Sequence, residues 1–133
     1  MSETIKYRPW AEPGAAELML VPNWIEQAEP GGVPDEIRAD YLTCYEGDRF
    51  AESMRYVRRY PEELPVLAQL LPHITVPVMI INGRHDRVVP LVNAEFLDER
   101  LPISRLVIVD AGHFVWEEAP IEYASSILNF ITQ

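Results

Sequence analysis

Two short segments carry side chains able to do acid–base chemistry together. The first, Gly83-Arg84-His85-Asp86, follows the near-continuous apolar run Val76 to Asn82. The second, Ala111-Gly112-His113-Phe114, follows the apolar run Leu106 to Val109. A carboxylate at 86 and an imidazole at 113, on loops above adjacent strands, can hydrogen-bond. Such a pair makes the orienting acid and the base of a nucleophile–His–acid triad. The acid fixes the tautomer of the base and stabilises the imidazolium formed when the base takes a proton. Each residue also has a plainer reading. Asp86 serves equally as a loop-capping aspartate, and His113 as a buried structural histidine. His85 reads as a loop histidine and His73 as a linker one. Asp110 precedes the turn of its loop and is the weaker alternative acid. A metal site from His85, Asp86 and His113 is not expected, because no ligand spacing supports it.

Reactive groups of open α/β sheets lie on loops after the carboxyl ends of strands, and the neighbouring sequence supplies that frame. Both apolar runs are rich in β-branched residues, as strands covered on two faces require. Between them Val92, Phe96, Leu97 and Leu101 recur at helical spacing. After the second loop a helix is expected from Pro120, with Ile121, Ala124, Ile127, Leu128 and Ile131 as its apolar stripe. Residues 73–133 therefore read as a β-α-β-α unit, a right-handed crossover of a parallel sheet. Two parallel strands do not stand alone. These strands need neighbours that the 133 residues do not visibly encode.

Residues 1–72 read differently, as a helical, loop-rich zone. Pro9, Pro13-Gly14, Pro22, Pro30-Gly31-Gly32 and Pro34 punctuate its first half. Ala15 to Val21 is expected to be a short helix, and Asn23-Trp24-Ile25-Glu26 to open another element. From Pro34 a helix carries Ile37, Tyr41, Leu42 and Tyr45 and stops at Gly47. Asp48 can cap the next, with Phe50, Met54 and Val57 on one stripe. A further short helix is expected between Glu62 and Leu71. Cys44, the single cysteine, is expected to be a small buried hydrophobe on its helix. Glu62-Glu63 and Glu117-Glu118 read as helix-start charges, and Arg55, Arg58 and Arg59 as solvated.

Composition narrows the partners. Eleven Lys and Arg stand against 21 Asp and Glu, a net charge of -10. Without a fold-wide basic patch, nucleic acid and anionic membrane are poor candidates. One cysteine makes no disulfide framework and fits a reducing compartment. Neither a signal-peptide pattern nor a membrane-length apolar run is visible, so the expectation is cytoplasmic.

The segment Val76-Pro77-Val78-Met79-Ile80-Ile81-Asn82-Gly83-Arg84-His85-Asp86-Arg87-Val88-Val89-Pro90 resembles the acid-bearing segment of α/β-hydrolases. Asp110-Ala111-Gly112-His113-Phe114, with Glu117-Glu118-Ala119-Pro120, resembles their histidine segment. The first zone is similar to the helical cap of haloalkane dehalogenases and, more loosely, of epoxide hydrolases. The likeness rests on Pro13-Gly14-Ala15-Ala16-Glu17, Asn23-Trp24-Ile25-Glu26, Pro30-Gly31-Gly32-Val33 and Tyr60-Pro61-Glu62-Glu63-Leu64-Pro65. The resemblance implies a partial α/β-hydrolase fold, with cap 1–72 and core 73–133. It also implies Asp86 as the acid and His113 as the base of a triad. The implied substrate is small and mostly apolar: a haloalkane, an epoxide or an ester. No cofactor or metal is implied. Trp10, Trp24, Phe114 and Trp116 are candidate pocket residues, with packing between helices as the plainer reading.

One departure qualifies the match. The family's nucleophile elbow, Gly-x-Ser-x-Gly or an Asp variant, is absent. Ser2, Ser53, Ser104, Ser125 and Ser126 lack flanking glycines at that spacing. A truncated gene product, a split gene or a fragment would each give such a chain. Two expectations follow. Completed by a nucleophile, the chain is part of a hydrolase; alone, it is an inactive module that self-associates or binds a partner through the exposed edge of its sheet.

Overall fold

The computed structural model describes residues 33–53 and 55–132. The helix expected at Ala15–Val21, the element opening at Asn23, and Trp10, Trp24 and Met54 lie outside the described residues. Helix α1 spans Asp35–Cys44, with Pro34 (φ -50) leading into it and Asp35 and Glu36 in its first turn. Proline is preset for that position, and the acids face the positive end of the helix dipole. The chain then turns at Gly47, whose φ of 66 is costly for any residue with a Cβ.

Helix α2, Arg49–Ser53, is followed by a 3-10 turn at Arg55–Arg59, so the expected single helix is broken into two pieces. Val57 is 2% exposed as its stripe predicts. Arg55 and Arg59 make surface ion pairs with Glu52 and Glu63. Helix α3 spans Tyr60–Leu70, with Pro61 in its first turn. A 3-10 turn at Leu71–His73 leads to β1, Val78–Gly83; helix α4, Leu91–Asp98, crosses to β2, Ser104–Val109. A short α5, Val115–Glu118, and α6, Pro120–Ile131, complete the order.

β1 and β2 pair in parallel, from Val78 opposite Ser104 to Gly83 opposite Val109. This register ends both strands at one level, so the loops that follow them lie side by side. Side chains alternate across the pleat. Val78 and Ile80 pack on one face with Leu71, Phe96 and Leu101. Ile81 and Val107 pack on the other with Val109, Ala111, Val115 and Tyr123. Leu71 and Ala68 thus tie the end of α3 to the sheet layer. A third cluster joins α1 to the second loop, with Val33 and Phe114 at its centre and Ile37, Tyr41, Leu42 and Val88 around them.

Two expectations change. Cys44 is exposed, not buried. It lies near the end of α1, beyond the Ile37, Tyr41 and Leu42 that pack on the Val33–Phe114 cluster. The stripe of α6 is also mostly bare: Ile121 is 82% exposed, Leu128 58% and Ile131 68%. This helix lays Tyr123 and Ile127 toward the sheet side, and its apolar residues extend round to solvent. None of the described helices is long and apolar enough to cross a membrane.

Candidate active site

The site begins with glycine at the end of β1. A Cβ on Gly83 would collide with the Gly112 carbonyl and lie 2.5 Å from that of Ala111. Only glycine lets the two loops close to this separation. Backbone bonds then fix them: Arg84 N–H donates to Val109 O at 2.8 Å and His85 N–H to Ala111 O at 2.9 Å. Buried Asn82 adds an amide N–H to Gly83 O at 2.8 Å.

Asp86 stands at the turn of the first loop and divides its carboxylate between two tasks. Its Oδ1 accepts the backbone N–H of Val88 at 2.8 Å and of Val89 at 2.7 Å. Its Oδ2 lies 2.9 Å from Nδ1 of His113. The Asp86 side chain is 6% exposed and that of His113 21%. One oxygen thus caps the loop and the other faces the imidazole of His113. An ionised carboxylate can only accept, so this contact places a proton on Nδ1. Nε2 is then the ring atom through which proton transfer would run.

Other candidates are placed elsewhere. His85 Nε2 meets Asp110 Oδ1 at 2.8 Å, and both side chains are largely exposed. Asp110 therefore pairs with His85, and His113 with Asp86. Phe114 is 2% exposed and stacks on Tyr41 at 5.3 Å. It is a core residue beneath the loop. Trp116 packs edge-on against Phe114 and Tyr123 and lines an open concavity of ≈ 430 Å³ beside Asp86 and His113. Met79, Ile81 and Val89 are among the other walls. The hollow is mostly apolar, with the Asp86 and His113 side chains among its few polar walls.

Sequence reasoning missed three contributors. Tyr41 donates to Glu117 Oε1 and accepts from the Trp116 indole, both at 3.4 Å. Burial raises its hydroxyl above the usual tyrosine range; the Trp116 N–H opposes this and the Glu117 carboxylate adds to it. Glu118 Oε1 accepts the N–H of Gly112 at 2.6 Å. The helical stripe bearing Tyr41 signalled a contact without naming its partner. Nothing in the spacing of Glu117 and Glu118 separates them from helix-start charges.

A model of the alpha/beta hydrolase fold matches residues 14–120, most of the chain. The protein belongs to the α/β-hydrolase family. Among its relatives is Epoxide hydrolase A of Mycobacterium tuberculosis (strain ATCC 25618 / H37Rv), 29% identical over 136 residues. That alignment covers 94% of this chain and 42% of the relative, so the chain spans less than half the relative's length. An esterase (EaEST) from Exiguobacterium antarcticum superposes with a TM-score of 0.75 at 19% identity, over 85% of this chain and 42% of that one. The enol-lactonase from Burkholderia xenovorans LB400 gives 0.70 at 17%, over 93% and 48%. At such identities the α/β-hydrolases with solved structures establish a common fold alone. They bear out the α/β class and the partial character of this fold.

Proposed function

We propose that this chain supplies the acid and base of a nucleophile–His–acid hydrolase, with Asp86 as the acid and His113 as the base. The observation that carries the reading is the 2.9 Å contact between Asp86 Oδ2 and His113 Nδ1 beside an apolar hollow. The attacking group comes from outside the 133 residues. Ser104 lies at the start of β2, at the opposite end from the loops, and its hydroxyl donates to Asp98 Oδ1. In the proposed cycle an external nucleophile attacks the substrate carbon and forms a covalent ester as the bond to the leaving group breaks: halide departs, the epoxide ring opens and its oxygen takes a proton from solvent, or the ester's alcohol leaves with a proton. His113 then takes a proton from water through Nε2, and the resulting hydroxide equivalent cleaves the ester. Asp86 holds the ring's tautomer and stabilises the imidazolium. The substrate class is a small, mostly apolar epoxide, haloalkane or ester; the epoxide hydrolase relative supports the first.

The test joins this chain behind the nucleophile-bearing half of a family member and offers a nitrophenyl ester, an epoxide and a brominated alkane. The chain alone is expected to be inactive, and the joined protein active. His113→Ala should then lower kcat by about 10³-fold or more. Turnover in the joined protein that survives His113→Ala would contradict the assignment.

A second reading is favoured by the edge of β1, which is paired on one side only among the described residues. Val78 and Arg84 direct their N–H groups to β2, so the pleat turns those of Met79 and Ile81 to the other side. The segment from Ile74 to Gly83 carries no charge to discourage pairing. In this reading two copies associate along β1, with or without catalysis, and sedimentation at micromolar concentration reads the result.

A further inference from the structure

We infer that Glu118 is a positioning residue for the base, acting through the peptide unit that joins Ala111 to Gly112. The inference rests on the Asp86–His113 reading and extends it. A peptide unit is rigid and planar, so its carbonyl and its N–H move as one body. Here both ends are held. The Ala111 carbonyl accepts from His85 N–H at 2.9 Å, and the Gly112 N–H donates to Glu118 Oε1 at 2.6 Å. One end is therefore fixed by the loop that carries the acid. The other is fixed by a carboxylate five residues beyond the base.

This plane stands one peptide unit, Gly112–His113, before the base. Rotation about it would swing the imidazole away from Asp86 Oδ2. The bonds that follow the histidine sit downstream of that rotation: Glu117 and Glu118 N–H both donate to Phe114 O, and Ala119 N–H to Val115 O. These bonds shape α5 and bring the Glu118 side chain back over Gly112. Gly112 is buried, so its N–H needs a partner, and an ionised acceptor gives a short, strong bond. Neighbouring Glu117 turns instead to Tyr41. Two adjacent glutamates thus have separate tasks, one toward α1 and one toward the base.

The experiment follows the His113 Nδ1 proton by NMR in the whole chain, with nitrogen-labelled histidine. In the unaltered protein this proton is expected well downfield, exchanging slowly with water. Glu118→Ala and Glu118→Met both remove the acceptor, and Met keeps most of the side-chain volume if Ala fails to fold. In either, exchange of the Nδ1 proton should quicken by about tenfold or more, the effect of losing one charged hydrogen bond on a local opening. Glu118→Gln, whose amide oxygen still accepts, should restore exchange to within about twofold of the original rate. Unchanged exchange in the Ala or Met variant overturns the inference. So does a Gln variant as fast as those two, since that would make the charge or the fold responsible. Absence of the Nδ1 proton from the unaltered protein would overturn the acid–base reading itself and the inference with it.

Discussion

The carbonyl of Gly112 occupies the space into which a side chain on Gly83 would project. These two glycines, one ending β1 and one preceding the base, set the separation of the acid loop from the base loop. Gly83→Ala therefore has no inexpensive accommodation, because the obstacle is backbone on both sides. A loss of about 3 kcal/mol or more in unfolding free energy is expected, at the upper end of overpacking costs. Urea unfolding of the variant checks it; a loss below about 1 kcal/mol would mean that the loops are not in contact.

Asp86 predicts a contrast between two substitutions. Asn retains an oxygen that can accept from Val88 and Val89 N–H, whereas Ala retains nothing. Asp86→Asn should therefore unfold within about 1 kcal/mol of the original protein, and Asp86→Ala should lose about 2–4 kcal/mol from two backbone bonds to a charged acceptor. The Asn variant should nonetheless fail in the joined enzyme, because its amide cannot enforce the required tautomer. Equal stability of the two variants would remove the loop-holding role of Oδ1.

Alkaline titration should single out Tyr60. Burial, joined by the hydrogen bond and the charge of Tyr56, pushes its hydroxyl up to about 12. Its unfolded value is the ordinary 10.0. The folded state thus holds this proton more firmly than the unfolded one. The corresponding stabilisation is complete below pH 10 and is lost as pH rises toward 12. Of the six tyrosines, one should ionise last in the near-ultraviolet absorbance titration, and Tyr60→Phe should remove that step. A titration unaltered by Tyr60→Phe would contradict the placement.

The edge of β1 that is unpaired among the described residues makes a prediction of its own. If copies pair along it, Met79→Lys should shift the chain toward monomer by about tenfold in Kd or more, because a charge at the pairing edge blocks strand addition. Sedimentation at micromolar concentration reads this directly. A monomer before any substitution would end the self-association reading.

Much of the site was legible because its cues are local. The apolar runs before Gly83 and Asp110 marked two parallel strands, and register alone then brings Asp86 over His113. Cues that needed a partner were not legible. The stripe of α1 predicted a buried Cys44, but the α1 residues packed on the Val33–Phe114 cluster are Ile37, Tyr41 and Leu42, and Cys44 lies past them. The stripe of α6 predicted a covered face, but only one side of that helix meets the sheet layer. Glu117 and Glu118 looked alike because charge at a helix start is uninformative about aim. Their tasks come from the tight return of α5, which spans only four residues.

The tautomer of neutral His113 decides whether Asp86 and His113 form the acid–base pair. Nitrogen chemical shifts of the labelled imidazole distinguish a proton on Nδ1 from one on Nε2. With Asp86 Oδ2 as acceptor, the Nδ1–H form is expected, with a downfield proton that disappears in Asp86→Ala. An Nε2–H form, or an Nδ1 proton indifferent to Asp86→Ala, would contradict it.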